Sequence, residues 1–296
     1  MVESLRQIVG KNNLFIDEPL SRHSTFGIGG KTRFFITPEN YHDMFTITKL
    51  LETNQIKFKV VGNASNILFS DIGYDGAIIS TIKIQQLCEL GGGEILASSG
   101  VKLPSLVTFA SERGLSGLEF ASGIPGTVGG ALFMNAGAFG RSISDIVTSV
   151  TYYDGSEVRF ARSEKLQFAY RASLFKQNPE WTIMFCELRL EAGNKNAIKA
   201  EILKLREKRK NTQPLGKSAG SVFKMIDGIP AGKLIDECGL KGLKIGDAEV
   251  SKVHANFIIN NGHATSNDVM SLIELIKTYV NEKYNKMLEL EIEIVR

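Results

Sequence analysis

The chain has 296 residues, 43% of them hydrophobic and 23% charged, with 29 glycines; this is long for one core and points to two or three packed units with small-molecule chemistry at a domain junction. Its 35 basic and 32 acidic residues leave a net charge of +3, far from the basic stripe of a dedicated nucleic-acid binder. Cys88, Cys186 and Cys238 are widely spaced and form no CxxC pair, which fits neither a disulfide framework nor a common zinc site and reads as reduced, apolar packing residues in a reducing compartment.

Residues 1–15 lack the uninterrupted apolar run of a secretory signal, and no stretch approaches the length of a membrane span, so a cytoplasmic location is expected. Thr37 as N-cap and Pro38 in the first turn predict a helix carrying Met44, Ile47, Leu50 and Leu51 at helical spacing. Phe58–Val61 reads as a short buried strand, followed by the turn-rich Gly62-Asn63-Ala64-Ser65-Asn66 and the apolar Ile67–Phe69. Beyond Ala77, β-like runs at residues 77–81 and 94–99 precede a helix over Leu103–Arg113 and a glycine-rich stretch over residues 114–140. Residues 146–153 and 157–161 flank Asp154-Gly155, a hairpin signal, and residues 182–191 form another strand. A basic helix over residues 196–210 leads through Asn211 and Pro214, a linker, into the last unit. There Pro230 opens a short helix closed by Gly239, and the capping box of Thr265 and Asp268 opens the longest helix, with Val269, Leu272, Ile273, Ile276 and Val280 on one face. The alternation over residues 288–294 predicts a half-exposed strand with Glu289, Glu291 and Glu293 on one face.

Gly30-Lys31-Thr32 has the look of a P-loop ending, but Thr25 stands where the first glycine belongs, which excludes an ATPase; no GxGxxG supports a Rossmann domain either. Two loops, residues 62–66 and 122–130, put small residues where a backbone can approach a bulky anion. Either alone reads as a tight turn, and the two together favour a dinucleotide. Arg171, between apolar and aromatic neighbours, is a partly buried cation for a carboxylate of substrate or protein, and Ser221 after Gly220 is a cleft hydroxyl or a turn serine. The run Lys204, Arg206, Lys208, Arg209 and Lys210 reads first as a solvated helix face. His23, His42, His254 and His263 show no ligand spacing, so no metal is expected.

Taken in order, STFGIGG (residues 24–30), GLSGLEFASGIPGTVGGALFMNAGAFG (114–140), YRASLF (170–175), SAGSVFK (218–224), AGKLIDECGLKGLKIGDAEVS (231–251) and LELE (288–291) resemble the UDP-N-acetylenolpyruvoylglucosamine reductase family over nearly the whole chain. The resemblance implies an α+β fold: a two-unit FAD-binding region of the vanillyl-alcohol-oxidase type, residues 1–80 and 81–207, and a C-terminal α+β substrate-binding domain, residues 208–296, whose last strand returns to the active site. It implies FAD held at Gly62, Asn63, Ala64, Ser65 and Asn66, at Ser122, Gly123, Ile124, Pro125, Gly126, Thr127, Gly129, Gly130 and Ala131, and near Asn135, Ala136 and Gly137. With no histidine in these loops, the FAD is expected to be non-covalent.

The same resemblance implies NADPH as hydride donor and UDP-N-acetylglucosamine enolpyruvate as substrate, reduced to UDP-N-acetylmuramate for peptidoglycan. Hydride addition builds negative charge that spreads into the substrate carboxylate, where a positioned cation stabilises the transition state more than the ground state. Arg171 matches the family's arginine for this. Glu291 matches the second glutamate of the family's LEPE motif and, beside a carboxylate, needs to be protonated or to share a proton. Ser221 matches the proton donor, a weak acid that acts against a strongly basic intermediate. Tyr170 lines the substrate site, and Arg209 or Lys210 meets the UDP phosphates. Ala64 replaces a glycine of the family's first loop, at a backbone angle that alanine tolerates, and Lys224-Met225-Ile226 replaces KNP. The short segment between Phe175 and Ser218 implies the subtype without an extra tyrosine-bearing loop. A monomer with no membrane or nucleic-acid partner is expected. The competing readings are an oxidase or dehydrogenase of the same flavin fold on another substrate, and a non-catalytic nucleotide-sugar binder.

Overall fold

The computed structural model describes all 296 residues. The chain divides into two compact units: residues 1–16, 34–63 and 76–208 form the first, and residues 17–33, 64–75 and 209–296 the second. The chain passes from the first unit to the second after residue 208. Residues 17–33 and 64–75, however, group with the C-terminal segment rather than with their sequence neighbours, because their hydrogen bonds and apolar side chains go there.

Unit 1 holds two sheets. Antiparallel strands Val158–Arg162, Val147–Tyr153, Thr182–Arg189, Glu94–Ser98 and Leu87–Gly91 form a five-stranded sheet in that order. The turn at Asp154 joins its outer pair as the Asp-Gly signal requires. The Asp154 carboxylate accepts from the amides of Ser156 (2.8 Å) and Glu157 (2.9 Å) and from Arg159 Nε (2.7 Å), and these donors, Arg159 first, hold its pKa below the ordinary aspartate value. Helices Leu103–Arg113 and Val128–Met134 supply Leu106, Val107, Val128 and Leu132, which are buried with Ile95, Val150, Cys186 and Leu188 of the sheet. The second of these helices lies inside the glycine-rich stretch, where Gly129 and Gly130 conceal it from propensity.

Residues 14–16, 34–36, 58–61 and 76–80 bring the other sheet into unit 1, with Phe58–Val61 parallel to residues 77–80. Helices Val2–Val9 and Tyr41–Thr53 cover it through Leu5, Met44, Ile47 and Leu51. The cap of the second helix is Asn40, not Thr37: the Asn40 side chain accepts from Asp43 N at 2.9 Å, while Thr37 Oγ1 is turned to Asn13. Tyr41 ties the layers together by donating to Met184 O and meeting Ser99 Oγ at 3.1 Å, and burial pushes its phenol up to about 12. Of the cysteines only Cys186 is a buried packing residue; Cys88 is exposed and Cys238 half-buried.

Unit 2 is built on the helix Ser266–Tyr284. Its capping box forms as the sequence predicts, and Val269, Leu272, Ile273, Ile276 and Val280 are all buried, each contributing about 1.5–3 kcal/mol before conformational entropy is subtracted. Asp71 adds a second cap, its Oδ2 accepting from Ser266 N (2.7 Å) and Ser266 Oγ (2.8 Å). Helix Ala231–Glu237 and an antiparallel sheet of Lys244–Ile245, Ala248–Val250 and Ile258–Asn260 complete the core with Phe26, Leu68, Val222 and Phe223. The C-terminal strand is shorter than the alternation suggests. Only Glu293–Val295 is extended, parallel to Ile67–Phe69, because the chain bends at residues 291–292. Glu289, Glu291 and Glu293 therefore do not share one regular strand face. No helix is long and apolar enough to cross a membrane.

Candidate active site

In unit 1 the two glycine-bearing loops meet. Asn63 Nδ2 donates to Pro125 O at 2.6 Å, and a Cβ built on Gly62 would stand 2.2 Å from Thr127 Oγ1, so this close approach requires glycine. Thr127 is also the N-cap of Val128–Met134, its Oγ1 accepting from Gly130 N. The loop's other amides are already used: Ser122 N goes to Glu119 O, Ile124 N to Ala121 O, Val128 N to Val101 O and Gly129 N to Ser99 O. Those of Gly123, Gly126 and Thr127 donate to no protein acceptor. Three free amides beside small residues and a helix start fit a pyrophosphate. Ser122, Thr127 and Ala131 are buried and pack the loop, whereas Gly123, Pro125 and Gly130 are exposed, so a cofactor would meet backbone here.

Ala64, Ser65 and Asn66 continue the first loop into unit 2. Ala64 sits at φ 44°, the left-handed region that glycine favours, which alanine tolerates only at a cost of about 1–2 kcal/mol. Asn66 uses its carboxamide within the protein: Nδ2 donates to Glu291 O at 3.0 Å, and Asn66 O accepts from Glu293 N at 2.9 Å.

Arg171 lies at the tip of a tight turn in unit 1 closed by reciprocal bonds between Ala169 and Ala172, both at 3.1 Å. It has φ 52°, a conformation a non-glycine side chain holds only when its surroundings enforce it. Lys176 Nζ donates to Arg171 O at 3.2 Å, and Asn135 Nδ2 donates to Ala169 O at 2.9 Å, so residues 135–137 and Tyr170-Arg171 come together as a pair of braced turns. The guanidinium carbon stands 5.1 Å from the Tyr170 ring, with Nη2 3.4 Å from Gly137 O.

In unit 2, Ser221 and Glu291 lie on adjacent antiparallel segments. Glu291 N donates to Val222 O at 2.8 Å, Phe223 bridges Leu290, and Lys224 N donates to Glu289 O at 2.9 Å. Lys224 Nζ pairs with Glu289 Oε2 at 3.0 Å, which leaves Glu291 as the glutamate nearer Ser221 along the segment. Thr25 Oγ1 donates to Ser218 O at 2.8 Å, and Gly30 passes so close to Asp71 that a Cβ would lie 2.1 Å from its carbonyl, which gives STFGIGG a structural purpose beside SAGSVFK. Arg209 is half-buried, its Nη1 donates to Gln213 Oε1 at 2.9 Å and burial lowers its pKa, whereas Lys210 is exposed; of the basic run, Arg209 alone leaves the solvated face. Asn256, marked by no sequence pattern, makes the bonds that hold the Ser221 segment from its other side. No group of three or more potential ligands could hold a metal ion.

Comparison with known proteins matches residues 32–161 to a family model described as an FAD binding domain, and residues 210–295 to one described as UDP-N-acetylenolpyruvoylglucosamine reductase, C-terminal domain. A UDP-N-acetylenolpyruvoylglucosamine reductase of Carboxydothermus hydrogenoformans is 44% identical over 94% of this chain and 93% of its own length. The crystal structure of the reductase of the same name from Thermus caldophilus superposes with a TM-score of 0.81, at 35% identity, over 96% of this chain and 98% of that one. An alkyldihydroxyacetonephosphate synthase structure, 13% identical with a TM-score of 0.50 over 64% of this chain and 40% of its own, shares the fold over that part of the chain.

Proposed function

The chain belongs to the UDP-N-acetylenolpyruvoylglucosamine reductase family, FAD-dependent oxidoreductases of UDP-N-acetylmuramate formation, and from that premise we propose that it uses NADPH and non-covalent FAD to reduce the enolpyruvyl group of UDP-N-acetylglucosamine enolpyruvate. In this reading the loops of residues 62–66 and 122–131 carry the cofactor, with residues 135–137 nearby, and the C-terminal segment from about residue 208 carries the substrate site. Bound FAD supplies a two-electron relay between NADPH and the vinyl carbon. The protein's own task is to manage charge and a proton. Hydride addition at the terminal CH2 leaves an electron pair on the carbon bearing the ether oxygen, delocalised into the carboxylate. Arg171 stabilises that charge, and Glu291 polarises the same carboxylate while protonated or sharing a proton. Ser221 then gives its hydroxyl proton to the ether-bearing carbon, completing net addition of one hydride and one proton, and is reprotonated from water. Tyr170 lines the substrate, and Arg209 or Lys210 meets the UDP phosphates. The cytoplasm as the place of action and a monomer as the working unit belong to the same reading.

The observation that carries it is the adjacency of Ser221 and Glu291 on hydrogen-bonded segments of unit 2; within unit 1, the loop with three free amides suits a pyrophosphate. Ser221→Ala tests it: FAD stays bound while substrate-dependent NADPH oxidation falls by roughly 10²–10⁴-fold, the usual range for a general acid. Normal turnover in that variant would remove Ser221 from the mechanism.

A further inference from the structure

We propose that Asn256 is a positioning residue that sets Ser221 against Glu291; this rests on the reading above, in which those two residues serve the reaction. Asn256 is 7% exposed, so its carboxamide needs partners, and both are main-chain groups of one residue of the neighbouring segment, Phe223. Nδ2 donates to Phe223 O at 2.8 Å and Oδ1 accepts from Phe223 N at 2.9 Å. Its main-chain oxygen accepts from Val222 N at 2.8 Å, and its own N–H goes to His254 Nδ1 at 3.2 Å.

The side chain thus replaces a strand. Past the bridge between Ser221 and Phe257, the partner backbone turns away: Phe257 N bonds His254 O at 3.0 Å, and Phe257 O accepts from Ser251 N at 2.8 Å. Phe223 would lose its ladder there, and the carboxamide of Asn256 supplies the missing donor and acceptor. The opposite edge of the same segment holds Glu291, through Val222 O at 2.8 Å, and Glu291 is held in turn by Asn66 Nδ2 at 3.0 Å. Two asparagine carboxamides therefore bracket the pair of segments that carry Ser221 and Glu291. On its N-terminal side Ser221 follows Gly220, which has φ 78° and open space where a Cβ would be, so no packing restrains it there. Its placement depends on its own bridge to Phe257 and on Val222 and Phe223, the residues Asn256 clamps.

Misplacing a reacting group by about 1 Å costs on the order of 10²-fold in rate. The test uses FAD-loaded protein carrying Asn256→Ala or Asn256→Asp; the second keeps the shape and the acceptor but sets an oxygen against Phe223 O. The expected result is a fall in kcat on the order of 10²-fold with KM within about twofold, and a larger solvent deuterium isotope effect as proton delivery becomes limiting. Flavin reduction by NADPH alone stays at the wild-type rate. Amide exchange quickens at Phe223 and Glu291 but not in the helix Ser266–Tyr284. Wild-type kcat and isotope effect, unchanged exchange at Phe223, equal loss in both half-reactions, or failure of both variants to fold would each overturn the proposal, the last two by making Asn256 a general stability residue. Were Ser221→Ala to turn over normally in the same assay, the functional reading would fall, while the exchange result would still decide the clamp.

Discussion

Single residues here are most informative where geometry and sequence pattern disagree. Ala64 and Arg171 both occupy the left-handed region, which no periodicity or motif reveals in a non-glycine residue. At Ala64 the opposing effects nearly cancel: αL costs an alanine about 1–2 kcal/mol. A glycine would forfeit a buried methyl, about 0.8 kcal/mol, and gain unfolded-state freedom of about 0.4–1 kcal/mol. Ala64→Gly is therefore expected to move the denaturant midpoint little, and a change well above 1 kcal/mol would refute this balance. Gly62 is the opposite case, since its Cβ would stand 2.2 Å from Thr127 Oγ1. Gly62→Ala should weaken FAD retention in a filtration assay, and adding Thr127→Ala, which removes the clashing oxygen, should recover part of it. If the double variant binds no better than the single, the steric account is wrong.

At the scale of elements, the segments with strong local chemistry were legible: the Asp154-Gly155 hairpin, the Leu103–Arg113 helix and the capping box at Thr265 and Asp268 all form as patterned. Misreadings came where tertiary contacts overrode local preference. Asn40 caps a helix assigned to Thr37, Val128–Met134 is helical despite its glycines, and the final strand is cut short by the bend at residues 291–292. The hairpin carries a pH prediction. Because hydrogen bonds led by Arg159 lower the Asp154 pKa in the folded state, its stabilising effect is complete above the unfolded aspartate value and is lost as pH falls through the ordinary carboxylate range and below. Amide exchange in Val147–Tyr153 and Val158–Arg162 should thus rise on acidification after correction for intrinsic rates, and Asp154→Asn should flatten that dependence. An unchanged profile in the variant would assign the effect elsewhere.

For the whole molecule, the family motifs were readable because each is a run of residues whose small size, charge or hydroxyl serves one place in the fold. The grouping of residues 17–33 and 64–75 with the C-terminal segment was not readable, since it depends on pairings more than two hundred residues apart, such as Glu293 with Ile67. Truncation after Ile292 removes that parallel pairing and the bond from Ser70 N to Val295 O, and should lower the thermal midpoint of unit 2; an unaltered melt would show the C-terminal strand to be dispensable. The central claim is that FAD held by this chain passes electrons from NADPH to an enolpyruvyl UDP-sugar. Its most direct test is NADPH consumption by the purified, FAD-loaded protein with and without UDP-N-acetylglucosamine enolpyruvate. The account predicts rapid consumption with the sugar, stoichiometric formation of UDP-N-acetylmuramate, and little consumption without it; oxidation indifferent to the sugar, with oxygen as the sink, would contradict it.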